Sequence, residues 1–451
     1  MHDRSLAIPA LTRRRAIAGA LAAAGGTALA ACRPRQDAGP STEQVGAREA
    51  QLVVYMRDSE QEAFTQRSQE FMQQYPKIKI DFQGLPDYYT KVQAAFAGGV
   101  GPDVFYAHTS NLKYQEFAVQ GVAAPIDDML AKSKVDLSAY LGKAIDALKL
   151  DGKLYGLPVR GQFAWMFLYY NKRIFQDAGL NPPNANWTVD DVISAADKLT
   201  IRRGDEVERW GYYHTYGGFE ATVAFVRNFN GEFFDPPDGP GKKCTLNSAQ
   251  CLQAFTWLYD LWHKRKIVST GLNWADFGQG KIAMVGARLA GERATAKSNV
   301  GENFEWTFIK QPKGSARYGG FLSTDALELR ADTKFKPEAF EALVWYTNKE
   351  SGIAAALQSQ GSLTPGFRKD VYCSQELLND SRFPKDAMQA NCDNTNVSES
   401  YTYPHNLRLG EITPILDKYL PQLQRNEAQP STSWLNELTR EIQVVLDMPR
   451  L

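Results

Sequence analysis

Histidine, cysteine and net charge are all scarce in this 451-residue sequence, and each shortage closes off a class of function. The five histidines and five cysteines are scattered without a Cys-x-x-Cys pair or a histidine cluster, so the spacing offers no zinc site, and no metal or other cofactor is expected. No Gly-x-Ser-x-Gly occurs, and no nucleophile, base and orienting acid stand in a recognisable arrangement, which argues against a hydrolase. The adjacent pairs Asp127–Asp128 and Asp190–Asp191 do not restore one, because neighbours on a helix do not face each other. Formal net charge is zero; the first 31 residues carry four arginines and one aspartate, leaving 47 basic against 50 acidic groups in the remainder. That balance suits neither a nucleic-acid surface nor an anionic membrane as main partner. The repeated short strands of a sandwich-type adhesin are missing as well.

Long hydrophobic runs are also absent. The nearest candidate, Ala16–Ala31, is a weakly hydrophobic, Ala/Gly-rich stretch behind Arg13, Arg14 and Arg15, the pattern of a cleavable export signal rather than a permanent span. The three arginines leave general secretory and twin-arginine export both open. The run ends in LAAC, which resembles the lipobox of bacterial lipoproteins and implies that Cys32 becomes a lipidated first residue, anchoring the chain at the outer face of a cell membrane or in a periplasm. Arg33–Ala50 is polar and aperiodic, a flexible tether.

What remains is globular. Hydrophobic content of 43 % and charged content of 23 % describe a folded chain, and the length calls for two domains. The organising stretch is Asp151–Leu180, where the chain is expected to cross from one lobe to the other. After Pro158 comes a run apolar on both alternating faces: Phe163, Trp165, Phe167 and Tyr169 on one, Ala164, Met166, Leu168 and Tyr170 on the other. A strand of that kind is covered on both sides, as inside an α/β sheet. Asn171 then caps a short helix that Gly179 closes.

Upstream, strands at Gln51–Met56, Lys77–Phe82 and Val104–Ala107 alternate with helices from about Ser59 and from Tyr88 to Phe96. That alternation predicts a parallel sheet, whose ligands lie beyond the carboxyl ends of the strands. The residues following the third strand, His108, Thr109, Ser110 and Asn111, are site candidates on topology; Ser110 or Asn111 equally suits the cap of the next helix. Downstream, Thr188 and Asp191 have the spacing of a capping box, and Asn247–Lys266 reads as one amphipathic helix.

The succession GPDVFYAH, GVAAPIDDM, DGKLYGLPV, LYYNKRIFQDAGL, WTVDDVISAADKL, FGQGKIAMVGA, YGGFLSTDALEL and NLRLGEITPIL, spread over Leu52–Leu446, resembles the family 1 extracellular solute-binding proteins of ABC importers, the maltose-binding and glycerol-3-phosphate-binding group. The resemblance implies a two-lobed α/β fold of the type II periplasmic-binding-protein kind, each lobe a mixed sheet flanked by helices. Its expected boundaries are 51–161 with 318–362 for the first lobe and 162–317 with 363–451 for the second. It implies a monomeric binder, not an enzyme, that closes on a small polar solute and presents it to the transmembrane subunits of an ABC permease. A carbohydrate is the expected solute, with glycerol-3-phosphate or a glycerophosphodiester as the alternative.

Carried over position by position, the resemblance places Tyr106 where the maltose binders have a cleft tryptophan, and Thr109 and Ser110 where they have an acidic–basic pair. Arg288 and Gly410 stand where they have stacking tryptophans, a departure that argues against maltodextrin itself. Trp165, Tyr216, Phe219 and Trp274 are aromatics in segments expected to face the cleft, each equally suited to ordinary core packing. Arg408 in the Arg-Leu-Gly motif and the Gly319–Gly320 pair match the glycerol-3-phosphate subgroup; Arg408 is expected to meet the solute or else to pair with Glu411 or Glu399. Arg368 is expected at the cleft rim.

Four cysteines follow Cys32. An even number in an exported chain suggests disulfides, and of three formal pairings the local ones, Cys244–Cys251 and Cys373–Cys392, are favoured.

Overall fold

The computed structural model describes residues 45–109, 113–164, 167–214, 218–237, 241–271, 273–287, 292–310, 312–358, 366–395, 401–402, 406 and 408–449. Cys32, Ser110, Asn111, Trp165, Tyr216, Arg288 and Glu399 lie outside them. Among the described residues no helix is long and apolar enough to cross a membrane.

The chain opens with β1 (Ala50–Arg57), α1 (Gln61–Gln74), β2 (Ile78–Leu85), α2 (Tyr88–Ala97) and β3 (Val104–His108). β1 pairs in parallel with both β2 and β3, the arrangement that strand–helix alternation predicts. The apolar side chains of these elements, among them Leu52, Val54, Phe64, Val92 and Phe105, form one core.

The stretch from Asp151 behaves as a crossing, but as two strands rather than one. β4 (Gly156–Ala164) belongs to the first sheet, and β5 (Phe167–Asn171) to a second. Both faces of β5 are covered as expected: Leu168 and Tyr170 enter one core cluster, Phe167 and Tyr169 another. Asn171 caps the following turn, its side-chain oxygen accepting from Ile174 N at 3.1 Å, and Gly179 closes it at φ +61°.

The second sheet is completed by β6 (Glu206–His214), β7 (Ile282–Ala287) and β8 (Trp306–Lys310), with the short strands Val268–Ser269 and Ile201–Arg203 on β6. β7 is parallel to β6 and antiparallel to β5, and β5 also pairs with β8. The helices α3 (Val189–Leu199), α4 (Gly218–Arg227) and α5 (Ala249–Tyr259) cover it. α3 starts from the capping box of Thr188 and Asp191, a local device of about 1 kcal/mol. α5 is shorter than its amphipathic pattern predicts: Ser248 rather than Asn247 caps it, and after Tyr259 the chain winds into a π turn over Asp260–Lys264.

β9 (Phe321–Leu329) returns the chain to the first sheet, antiparallel to β3 and β4, and every residue of it is buried. α6 (Lys336–Tyr346) packs behind it. The segment beyond 363, expected wholly in the second lobe, revisits the first sheet: Tyr401–Thr402 pairs in parallel with Phe321–Leu322, extending the sheet past the β9 edge. α7 (Leu409–Gln424) and α8 (Thr432–Leu446) then pack on the second lobe. The architecture is two-lobed α/β, each lobe a mixed sheet flanked by helices, joined where the chain passes from β4 to β5 and from β8 to β9.

Cys373 and Cys392 are disulfide-bonded. The expected second local pair is not formed: Cys244 and Cys251 are both buried thiols. Each is held in a different frame. Cys244 sits in a short strand register with Phe234 and donates its N–H to Gln443 Oε1 at 2.9 Å. Cys251 is in the first turn of α5, its N–H on the Ser248 cap and its Sγ directed at the Glu232 and Thr245 carbonyls.

Candidate functional site

A cluster of charged side chains gathers at the carboxyl ends of β1 and β3, on the neighbouring strands β4 and β9 of the same sheet. β1 ends on Arg57, and the turn behind it brings Glu60, only 3 % exposed, to the start of α1. β4 contributes Arg160 and β9 contributes Asp325, which is 1 % exposed and directly opposite Arg160 in the strand register, beside an irregularity at Asp325–Ala326.

Arg160 Nη1 donates to Glu60 Oε1 at 3.3 Å, and its Nε lies 3.9 Å from Asp325 Oδ2. The Tyr106 hydroxyl donates to the same Asp325 oxygen at 2.7 Å, and His108 Nε2 stands 3.1 Å from Asp325 Oδ1. Burial drives the Glu60 carboxyl above the usual range against the pull of Arg160. For Arg160 burial works against the charge, but Tyr106, Glu60 and Asp325 more than offset it and hold the guanidinium above its ordinary value. The Tyr106 phenol is pushed well up, first by burial and then by Asp325.

Two guanidiniums, Arg57 and Arg160, therefore face two carboxylates in a pocket of low dielectric. Not all of their hydrogen-bonding capacity is used: Arg160 Nε and the hydroxyl of Thr324, fully buried next to Asp325, make no hydrogen bond among the described residues. Buried polar groups are ordinarily satisfied, so the unpaired Arg160 donor within the cluster is a group a solute can satisfy. Carboxylate and guanidinium pairs held this way match the vicinal hydroxyls of a polyol.

The residues expected from sequence fare unevenly. Tyr106 joins the cluster through its hydroxyl alone. Its ring is fully buried and packs edge to face on Tyr88 at 5.6 Å, so it is not the stacking platform expected for a cleft aromatic. Thr109 uses its hydroxyl to close the strand pair, donating to Thr324 O at 2.6 Å and accepting from Thr324 N at 3.2 Å. Trp274 is half-buried, edge to face against Tyr169 at 5.1 Å and Phe277 at 5.7 Å, and Phe219 lies in the second-lobe core.

Gly319 and Gly320 are buried; at Gly319 a Cβ would collide with the Ala224 carbonyl oxygen of α4, so close helix packing already requires glycine there. Arg368 is bidentate to Asp370, at 3.0 and 2.8 Å, and lies over the Tyr140 ring. Arg408 donates to Glu411 Oε1 at 2.7 Å and to the Pro449 carbonyl, the pairing that was its alternative reading.

Arg57, Glu60, Arg160 and Asp325 escaped the sequence reading. The signal that was available is the Asp in the middle of the strand-like run FLSTDALEL, since an acid inside a buried strand must find partners. Residues 165–166, 215–217 and 288–291, which adjoin β5, β6 and β7, lie outside the described residues, so the geometry given is that of the first-lobe side.

Comparison with known proteins agrees with this architecture. Residues 56–353 match the model of a family described as bacterial extracellular solute-binding protein. A maltotriose-binding protein from Pyrococcus abyssi is 23 % identical over 381 residues, 82 % of this chain and 77 % of that protein. Among solved structures, the sugar-binding protein MalE of Xanthomonas citri superposes with a TM-score of 0.74 at 19 % identity, covering 88 % of this chain and 97 % of that one. UgpB of Mycobacterium tuberculosis, solved with glycerophosphocholine, gives 0.69 at 18 % identity, covering 88 % and 98 %. The fold is that of the type II periplasmic binding proteins, and with two lobes, a chain that passes between them and a family match over most of its length, the chain belongs to the bacterial extracellular solute-binding protein family.

Proposed function

We propose that this protein captures a neutral polyhydroxylated solute, a mono- or oligosaccharide, and delivers it to the permease of an ABC importer. The observation that carries the reading is the charge balance of the cluster: Arg57 and Arg160 are matched by Glu60 and Asp325, leaving directional donors and acceptors without a surplus cation. Sugar hydroxyls satisfy such a set, whereas a phosphodiester needs an uncompensated positive group. The sugar ligands of the maltotriose-binding relative and of MalE favour the same reading; the glycerophosphocholine complex of UgpB keeps the phosphodiester as its rival.

The solute enters between the lobes, engages the cluster on the first and the loops adjoining β5, β6 and β7 on the second, and closure gains free energy from contacts that exist only when the lobes are shut. Lipid attachment at Cys32, the tether before residue 50, a monomeric state and the absence of catalysis belong to this proposal. Calorimetric titration with maltose, maltotriose and glycerophosphocholine tests it. Saturable binding of an intact sugar is expected; binding of glycerophosphocholine alone would overturn it, and turnover of the sugar would replace it with an enzyme.

A further inference from the structure

The core cluster that holds Phe167 and Tyr169 draws on both sheets. Phe163 of β4 and Leu322 of β9 enter it from the first sheet, Tyr169 of β5 and Phe308 of β8 from the second, and Phe367 and Phe383 pack among them. The segment 366–394 therefore lies against both sheets at once, beside the passage from β4 to β5, and it carries the disulfide.

The two sides of this segment are held by different lobes. Before Cys373, Phe367 O accepts from Leu141 N, upstream of β4, at 3.0 Å, and the Tyr372 hydroxyl donates to Gly161 O of β4 at 3.2 Å. The Phe367 and Tyr372 rings stand 5.2 and 5.1 Å from that of Phe163, and a Cβ at Gly161 would collide with the Phe367 ring. On the Cys392 side, the helix Lys385–Asn394 lies against β8. There the buried Thr307 hydroxyl donates to Asp386 Oδ1 at 2.7 Å, and Lys172, which follows β5, pairs with Asp386 Oδ2 at 3.3 Å.

Between these holds the backbone path is long, 19 positions through short helical turns, whereas the disulfide brings the Cys373 and Cys392 Cα atoms to 4.8 Å. The covalent link thus joins the grip on β4 to the grip on β8, across the junction at which two lobes that close on each other must bend. Cys373 is half-buried and Cys392 only 8 % exposed, so Cys373 is the more accessible partner.

We propose that Cys373–Cys392 is a redox-sensitive staple of the lobe junction: intact, it couples the two lobes and supports closure on the solute; reduced, it separates the two grips and weakens capture. The effect on affinity rests on the solute-binding reading, whereas the effect on shape does not. A dithiol reductant acts through its thiolate, which attacks Cys373 Sγ while Cys392 Sγ leaves as the thiolate. The second thiol of the reductant then releases Cys373 and closes a cyclic disulfide. Two electrons pass to the protein, and the two cysteine thiolates take up the two protons that the dithiol loses.

Small-angle scattering of the full protein without solute, before and after dithiothreitol, tests the shape, and titration with maltotriose under the same conditions tests the affinity. Mass analysis after alkylation in denaturant verifies that reduction exposes two further cysteines. Reduction is expected to raise the radius of gyration of the unliganded protein and to weaken maltotriose binding on the order of tenfold, with the far-ultraviolet circular dichroism unchanged. The Cys373→Ser/Cys392→Ser variant should reproduce both effects and no longer respond to dithiothreitol. A disulfide with a merely structural role would lower the urea midpoint and leave scattering and affinity as they were, and that result would overturn the proposal. Loss of the native circular dichroism on reduction would overturn it as well, by making the bond a condition of folding. If neither form binds a sugar, the scattering alone decides: a larger reduced form sustains the staple and an unchanged one removes it.

Discussion

Arg160 donates to Glu60 across 3.3 Å, although the two residues are 100 positions apart and belong to different elements, a crossing strand and the turn that follows β1. The same guanidinium approaches Asp325 at 3.9 Å, so one cation ties the turn after β1 to β4 and β9 of the same sheet.

Removing that cation leaves Arg57 as the one guanidinium facing two buried carboxylates. Arg160→Ala is expected to lower stability by roughly 3 kcal/mol and to abolish measurable solute binding. Urea denaturation together with titration of the solute checks both; unchanged affinity would remove Arg160 from the site.

Thr324 separates binding from folding. Its hydroxyl is buried without a partner, so Thr324→Val is expected to leave stability unchanged or slightly raised. Solute affinity should fall about tenfold if the hydroxyl meets the solute. A loss of stability in the variant would show that the hydroxyl already has a structural role.

Glu328 makes stability depend on pH. It is fully buried, both carboxylate oxygens lack a hydrogen-bond partner, and burial holds the carboxyl well above its ordinary value of 4.5. Folded Glu328 is neutral while the unfolded chain ionises above that value, so the stability this group permits is present in acid and declines as pH rises toward the folded value. The slope is about 1.4 kcal/mol per pH unit. Glu328→Gln should remove this contribution, giving a flatter stability profile above about pH 5 in denaturant titrations. An identical slope in both proteins would contradict it.

The cysteines divide by bonding state. Burial pushes the Cys244 thiol up to about 12 and the Cys251 thiol up to about 11, so neither forms the reactive thiolate in the folded protein. Alkylation followed by peptide mass spectrometry should find both unmodified in the native protein and labelled in denaturant. Cys373→Ser with Cys392→Ser should cost about 3 kcal/mol, the chain-entropy value for a loop of this size, read from the urea midpoint.

Arg408 is a test of the subgroup resemblance. With its guanidinium on Glu411 and the Pro449 carbonyl, Arg408→Ala is expected to cost less than about 1 kcal/mol of stability and to leave solute affinity unchanged. A marked loss of affinity would return it to the binding site.

The sequence alone determined the local structure and the architecture. The strand–helix alternation of the first lobe, the Asn171 cap, the Thr188–Asp191 capping box and the doubly apolar β5 were all legible, because each depends on residues within one or two turns of each other. The order of short motifs carried the family for the same reason. Tertiary structure alone decided which side chains remain available for chemistry. Tyr106 looked like a platform until Tyr88 and Asp325 enclosed it, Cys244 and Cys251 looked like a pair but are buried thiols in separate hydrogen-bond frames, and Glu60, Arg160 and Asp325 looked unrelated until one sheet brought them together. Availability is set by partners from 18 to 219 residues away, and no local pattern records them.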